Sequence, residues 1–136
     1  MGTTNYTGTF IQVAEDCPRA AAEVPQAGSK GPTAASLQYA LVAERPYQLT
    51  SDDVLFEAYA ARQGVSDEDR AASREAFFAK SQACLRASPL GKRYGWGIHH
   101  DDQGRIALVP LGSERYRELA ADQSLQQLRA MRSKRA

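Results

Sequence analysis

Apolar and polar positions divide the chain into a short list of elements. Residues 6–14 (YTGTFIQVA) are rich in Thr, aromatic and β-branched residues, which is strand composition. Alternation sends Tyr6 and Phe10 to one side and Ile11 and Val13 to the other, so both faces are apolar and the strand is expected to be internal. Cys17-Pro18 ends it. Pro25, Gly28, Gly31 and Pro32 mark residues 19–32 as a loop, with one short turn near residues 20–23.

Three helices are predicted next. Thr33 caps the first, which runs to about Glu44 with Ala34, Leu37 and Leu41 as a stripe and Tyr39 and Val42 beside it; Pro46 stops it. Thr50 opens the second, its hydroxyl placed to accept from the N–H near Asp53, with Asp52 and Asp53 at the positive end of the dipole. Val54, Leu55, Ala58 and Tyr59 make its apolar face, and Gly64 closes it. Ser66 starts the third, Ser66 and Asp69 resembling a capping box, with Phe77 and Phe78 as anchors.

Residues 94–111 read as a β-hairpin. Tyr94, Trp96 and Ile98 alternate with Gly95, Gly97 and His99; residues 101–104 turn, and Ile106 and Leu108 return. Pro110 ends that strand or puts it at an edge. Ser113 caps a last helix containing Tyr116 and Leu119. Leu125, Leu128 and Met131 then carry a weak helical stripe into a basic end. The expected architecture is α+β: a small antiparallel sheet of three or four strands, including the 94–111 hairpin, with about four helices packed mainly on one face. Residues 46–50 are the candidate fourth strand. Residues 1–120 form one domain, and 121–136 a helical extension with a basic tail.

Composition excludes more than it assigns. At 136 residues a chain buries about two-thirds of its unfolded surface, and the 43% hydrophobic and 24% charged shares are close to globular averages. There are 17 basic and 16 acidic residues, a net charge of +1, so global charge gives no reason to expect nucleic acid or a membrane. The local balance is uneven. Residues 51–78 carry seven acids against Arg62, Arg70 and Arg74, whereas residues 79–100 carry Lys80, Arg86, Lys92 and Arg93 and no acid. The plain account is two solvated helix faces followed by a loop that pairs with them. Two cysteines, Cys17 and Cys84, are few for a disulfide scaffold, and a reducing, cytoplasmic setting is expected. The N-terminus has no signal-peptide pattern, Tyr6 stands where myristoylation wants Ser or Thr, and no apolar run spans a bilayer.

Candidate chemistry concentrates in residues 84–100, which hold a thiol, the only Trp and both histidines. An anion site is the first reading: Arg86, Ser88, Lys92 and Arg93 around a phosphate or carboxylate, with Trp96 and His99 beside them and Asp16 or Asp52 as walls. The competing account pairs Arg86 and Arg93 with Asp52, Asp53 or Glu57 and gives the glycines a packing role. A second reading makes Cys84 a nucleophile with His99 as base and Arg86 holding the thiolate, although no family-specific cysteine signature surrounds it. A buried structural cysteine is the alternative. A metal site from Cys17, Cys84, His99 and His100 lacks paired spacing, and adjacent His99 and His100 point to opposite faces of a strand. No metal or cofactor is expected. His99, sharing a face with Gly95 and Gly97, is the better functional candidate of the two. Asp16 at a chain reversal and Asp52 in a helix cap have ordinary structural explanations. Beyond a small anionic ligand or an acidic protein segment, the chain is expected to be a monomer, or a homodimer through an open sheet edge; the Leu125–Met131 stripe with its basic residues is a second candidate for an acidic partner, with a frayed helix end as the plainer account.

Several segments together resemble a known family. They are Thr4-Asn5-Tyr6, Thr9-Phe10-Ile11, residues 13–18 (VAEDCP), Pro46-Tyr47, residues 50–56 (TSDDVLF), residues 86–90 (RASPL) and residues 92–99 (KRYGWGIH). This set is similar to domain-of-unknown-function family 6157, short single-domain proteins of bacteria and fungi. The resemblance covers residues 1–119 and implies a stand-alone domain; it brings no activity, substrate or catalytic residue. Two departures are expected: the segment beyond Leu119 is peculiar to this chain, and Gly91 stands where Thr is the family expectation.

Overall fold

The computed structural model describes residues 3–133. The elements follow in the order β1 (Thr9–Gln12), α1 (Ala34–Glu44), α2 (Ser51–Gln63), α3 (Arg70–Ala79), α4 (Pro89–Lys92), β2 (Trp96–His100), β3 (Ile106–Pro110), α5 (Glu114–Ala120) and β4 (Gln126–Arg129), with a 3-10 turn at Leu85–Ala87. The fold is α+β. Its four strands lie in the order β3-β2-β1-β4. β2 pairs antiparallel with both β3 and β1, and β4 runs parallel to β1.

Local chemistry sets most of the helix ends. Thr33 and Thr50 each accept from the backbone N–H three residues on, and Ser36 and Asp53 return the bond to the cap N–H. Gly64 takes the left-handed conformation at φ 68° and closes α2. Ser113 caps α5. α3 starts later than Ser66: residues 67–69 form turns, Ser66 bonds Asp69 without opening the helix, and α3 begins at Arg70. It buries no residue fully and leans its Phe77 on Phe56 and Tyr59 of α2.

The sheet separates two cores, and helices cover both faces. On one face Ile11, Ile98 and Ile106 meet Val42 of α1, Val54 of α2 and Leu85. On the other, Phe10, Val13 and Val109 meet Tyr116 and Leu119 of α5. As expected, the helices lie mainly on one face: α1 and α2 line the first core, α4 is tied to α1, α3 leans on α2, and only α5 lies on the second face. β1 is apolar on both sides and internal, so each side needs a cover; α5 supplies the second, with Tyr116 edge-on to Phe10 at 5.0 Å.

The fourth strand differs from expectation. Residues 46–50 make only an isolated bridge, Thr50 to Arg105. The strand is β4, inside the segment expected to be a helical extension. Asp122 accepts from Ser124 N–H at 2.9 Å, an Asx turn that breaks the chain away from α5. Leu128 then lies beside Ile11, so a partner more than a hundred residues earlier, rather than local propensity, decides the conformation. The end of the basic tail, residues 134–136, lies outside the described residues.

Candidate functional site

The residues singled out from the sequence do not converge. Ser88 is buried: its hydroxyl donates to Gln38 Oε1 at 2.6 Å and accepts from Leu90 N–H, capping α4. It joins α1 to α4 and faces no cleft. Trp96 donates to the Glu23 carbonyl at 2.8 Å and packs on Tyr39. Asp52 binds the N-terminal segment to α2, accepting from Thr3 Oγ1 at 2.7 Å, Thr4 N at 2.8 Å and Thr4 Oγ1 at 2.6 Å. Burial pushes the Asp52 carboxyl up, but these bonds and Arg74 outweigh it and hold it below its ordinary value. We expect Asp52→Ala to cost about 2 kcal/mol, the range for bonds to a charged group. The urea midpoint and faster exchange of the Thr4 amide would report it; an unmoved midpoint would refute the role.

Cys84 and His99 lie on opposite sides of the sheet. Cys84 Sγ is 3.3 Å from the hydroxyl of Tyr6, which packs against the Ile11 and Val54 core. His99 sits opposite Phe10, in the row that α5 covers. Its Nδ1 is 2.7 Å from the Tyr47 hydroxyl, and burial and Arg115 hold its imidazole below the ordinary value. Tyr47 is the one non-glycine residue among those described with a positive φ, 58°. Such a conformation costs on the order of 1 kcal/mol or more. Its backbone N–H donates to Ile106 and covers the start of the outer edge of β3. The nucleophile–base pair imagined for Cys84 and His99 therefore has no geometry behind it.

The ion pairs also differ from the expected ones. Arg74 holds Asp53 at 3.0 Å and Arg70 holds Glu57 at 2.9 Å, so the acids of α2 are taken by α3. Arg86 instead reaches the C-terminal strand: its Nε donates to the Arg129 carbonyl at 2.7 Å, and its own carbonyl accepts from Met131 N–H at 2.7 Å. A concavity of about 350 Å³ opens there, lined by Glu15, Arg86, Arg129, Ala130, Met131 and Arg132. Next to it in the chain, Asp16, Pro18, Arg93 and Ser133 line a second one of about 460 Å³. Asp16 accepts from Ser133 N–H at 2.9 Å. Lys92 ends α4, half-buried, outside both concavities.

Arg86, Arg129 and Arg132 have no carboxylate within 4.0 Å among the described residues, and Met131 is half exposed beside them. The sequence set Arg86 apart from Met131 and the basic end with Arg129 and Arg132, which read as a frayed helix end; the parallel pairing of β4 brings them together. Among the described residues no cluster of His, Cys, Asp and Glu has the makings of a metal site, and no helix is long and apolar enough to cross a membrane.

The model of the family of unknown function DUF6157 matches residues 1–136, the whole chain. The chain belongs to this family. Because the match runs to the last residue, the segment beyond Leu119 is part of the DUF6157 pattern and not peculiar to this protein. No curated protein and no solved structure matches the chain. At Gly91, a β-carbon would stand 2.9 Å from the Ala130 β-carbon, so the hydrogen side chain is what lets α4 lie against the end of β4 in this member of DUF6157.

Proposed function

We propose that the protein is an anion-recognition module whose site is the concavity formed by Arg86, Arg129 and Arg132, with Arg93 at the neighbouring opening. One observation carries this reading: three arginines from two distant chain segments line a single concavity of about 350 Å³ against one carboxylate, Glu15, and among the described residues none of the three has a carboxylate within 4.0 Å. That volume suits a small organic or inorganic anion. Guanidinium groups offer paired donors to phosphate or carboxylate oxygens. Arg86 Nε is spent on the Arg129 carbonyl, which fixes the side chain and leaves its terminal nitrogens for a ligand. Met131 gives the rim an apolar element. The unpaired thiols of Cys17 and Cys84 agree with a cytoplasmic setting for this module.

Thermal shift with pyrophosphate and with citrate tests the reading. At a ligand concentration of about ten times Kd, binding adds about 1.4 kcal/mol, a rise of roughly 4 °C for a chain of this size. Raising the salt concentration should shrink the rise. Arg129→Gln with Arg132→Gln, both exposed positions, should abolish it while leaving the unliganded melting temperature in place. Absence of a shift with either anion, or the same shift in the double variant, refutes the proposal.

A further inference from the structure

The two outer edges of the sheet are unlike. β3 is covered at its start, where Tyr47 N–H donates to the Ile106 carbonyl at 2.8 Å and Ile106 N–H donates to Leu49 at 2.9 Å, and is open only at Leu108 among the described residues. β4 has no such cover. Three of its four residues, Gln126, Gln127 and Arg129, are exposed. The direction of its free groups follows from the ladder. Gln126 N–H donates to Gly8 and Ala130 N–H donates to Gln12, so even-numbered residues point their backbone inward to β1. Odd-numbered ones point outward. Gln127 N–H, Gln127 C=O and Arg129 N–H thus face away from the sheet with no partner among the described residues. The next group along, the Arg129 carbonyl, is occupied by Arg86. A short open edge runs directly into the arginine concavity.

We propose that β4 receives an extended acidic segment of a partner protein as a fifth strand, with the partner's carboxylates on Arg86, Arg129 and Arg132. The inference rests on the anion-recognition reading and deepens it by naming the ligand as a peptide strand. Backbone pairing at Gln127 supplies register, and the arginines select for acidic side chains. Charge complementarity picks this occupant over a second copy of the chain. Two β4 edges paired about a two-fold axis would bring six arginines together against two glutamates, three arginines and Glu15 from each copy. A partner strand with carboxylates meets the same arginines with opposite charge.

The test uses a capped peptide alternating valine and glutamate, the same peptide with alternate backbone amides N-methylated, and its glutamine counterpart. Methylation keeps every charge and removes the strand's hydrogen bonds. Titration by calorimetry should give affinities for the methylated and glutamine peptides at least about tenfold weaker than for the parent. The Arg129→Gln and Arg132→Gln double variant should lose the parent peptide as well. If the methylated peptide binds as well as the parent, the strand proposal is overturned, while Arg-dependent binding of pyrophosphate keeps the anion site. If pyrophosphate binds and the parent peptide does not, the partner is a small anion and this proposal again fails. Sedimentation that shows a concentration-dependent dimer lost on Gln127→Pro would assign the edge to a second copy instead, and overturn it too.

Discussion

Gly97→Ala is expected to destabilise the protein by about 3 kcal/mol, the upper part of the range for one forced extra group in a packed core. Gly97 lies in β2 with its missing side chain aimed at the α5 layer. A β-carbon there would stand 2.7 and 2.8 Å from two ring atoms of Phe10 and 2.9 Å from the Tyr116 ring. Neither ring has room to retreat. Phe10 is fully buried on the internal strand, and the Tyr116 hydroxyl is tied to Val13 N–H at 2.9 Å. Alanine's better strand propensity returns less than about 1 kcal/mol. For a domain of this size the melting temperature should fall by roughly 10 °C, read by circular dichroism. Phe10→Leu costs stability alone but should recover part of the loss when combined with Gly97→Ala, because the pair shares one space. Additive effects of the two substitutions would rule out the contact as the cause.

That contact also shows why the layer arrangement was only half legible from sequence. The internal position of β1 could be read from Phe10 and Ile11, one on each side. The alternation of Gly97 with Ile98 could be read too, yet a glycine in a strand does not announce whether it faces solvent or a helix that needs the space. The caps at Thr33, Thr50, Gly64 and Ser113 were legible because each is a bond between neighbours in the chain. The buried face of α1 was misplaced by one position. Ala35, Gln38 and Val42 are inside, because Gln38 meets Ser88 from fifty residues away and turns the helix toward it. The candidate site fared similarly. Arg86 stood out, but the carboxylates expected to pair with it went to Arg70 and Arg74. Its real neighbours arrive with β4, whose strand state depends on a parallel partner that no local pattern encodes.

Acid should expose the other unusual histidine. His100 is fully buried, edge-on to Tyr6 at 5.5 Å, and neither ring nitrogen has a partner within ordinary hydrogen-bond geometry among the described residues. Burial pushes its pKa down to about 4 against the opposing pull of the Ile98 backbone, with His99 lowering it further and Asp101 raising it. The unfolded chain, with an ordinary value of 6.5, binds a proton first as pH falls. His100 therefore favours the folded state fully above about pH 6.5, and this contribution declines by about 1.4 kcal/mol per pH unit until the folded ring itself protonates. The total is about 3 kcal/mol, a large share of a marginal stability. Urea unfolding at several pH values between neutrality and the acid side should show that slope in the native sequence. His100→Leu removes the titrating group and forfeits at most the contact with the Ile98 backbone. It should match or exceed the native stability at neutral pH and unfold at nearly the same urea concentration across the acid window, apart from the carboxylates common to both chains. Equal pH slopes in the two proteins would mean that His100 already finds a proton partner in the folded core, and that its burial is not what limits stability in acid.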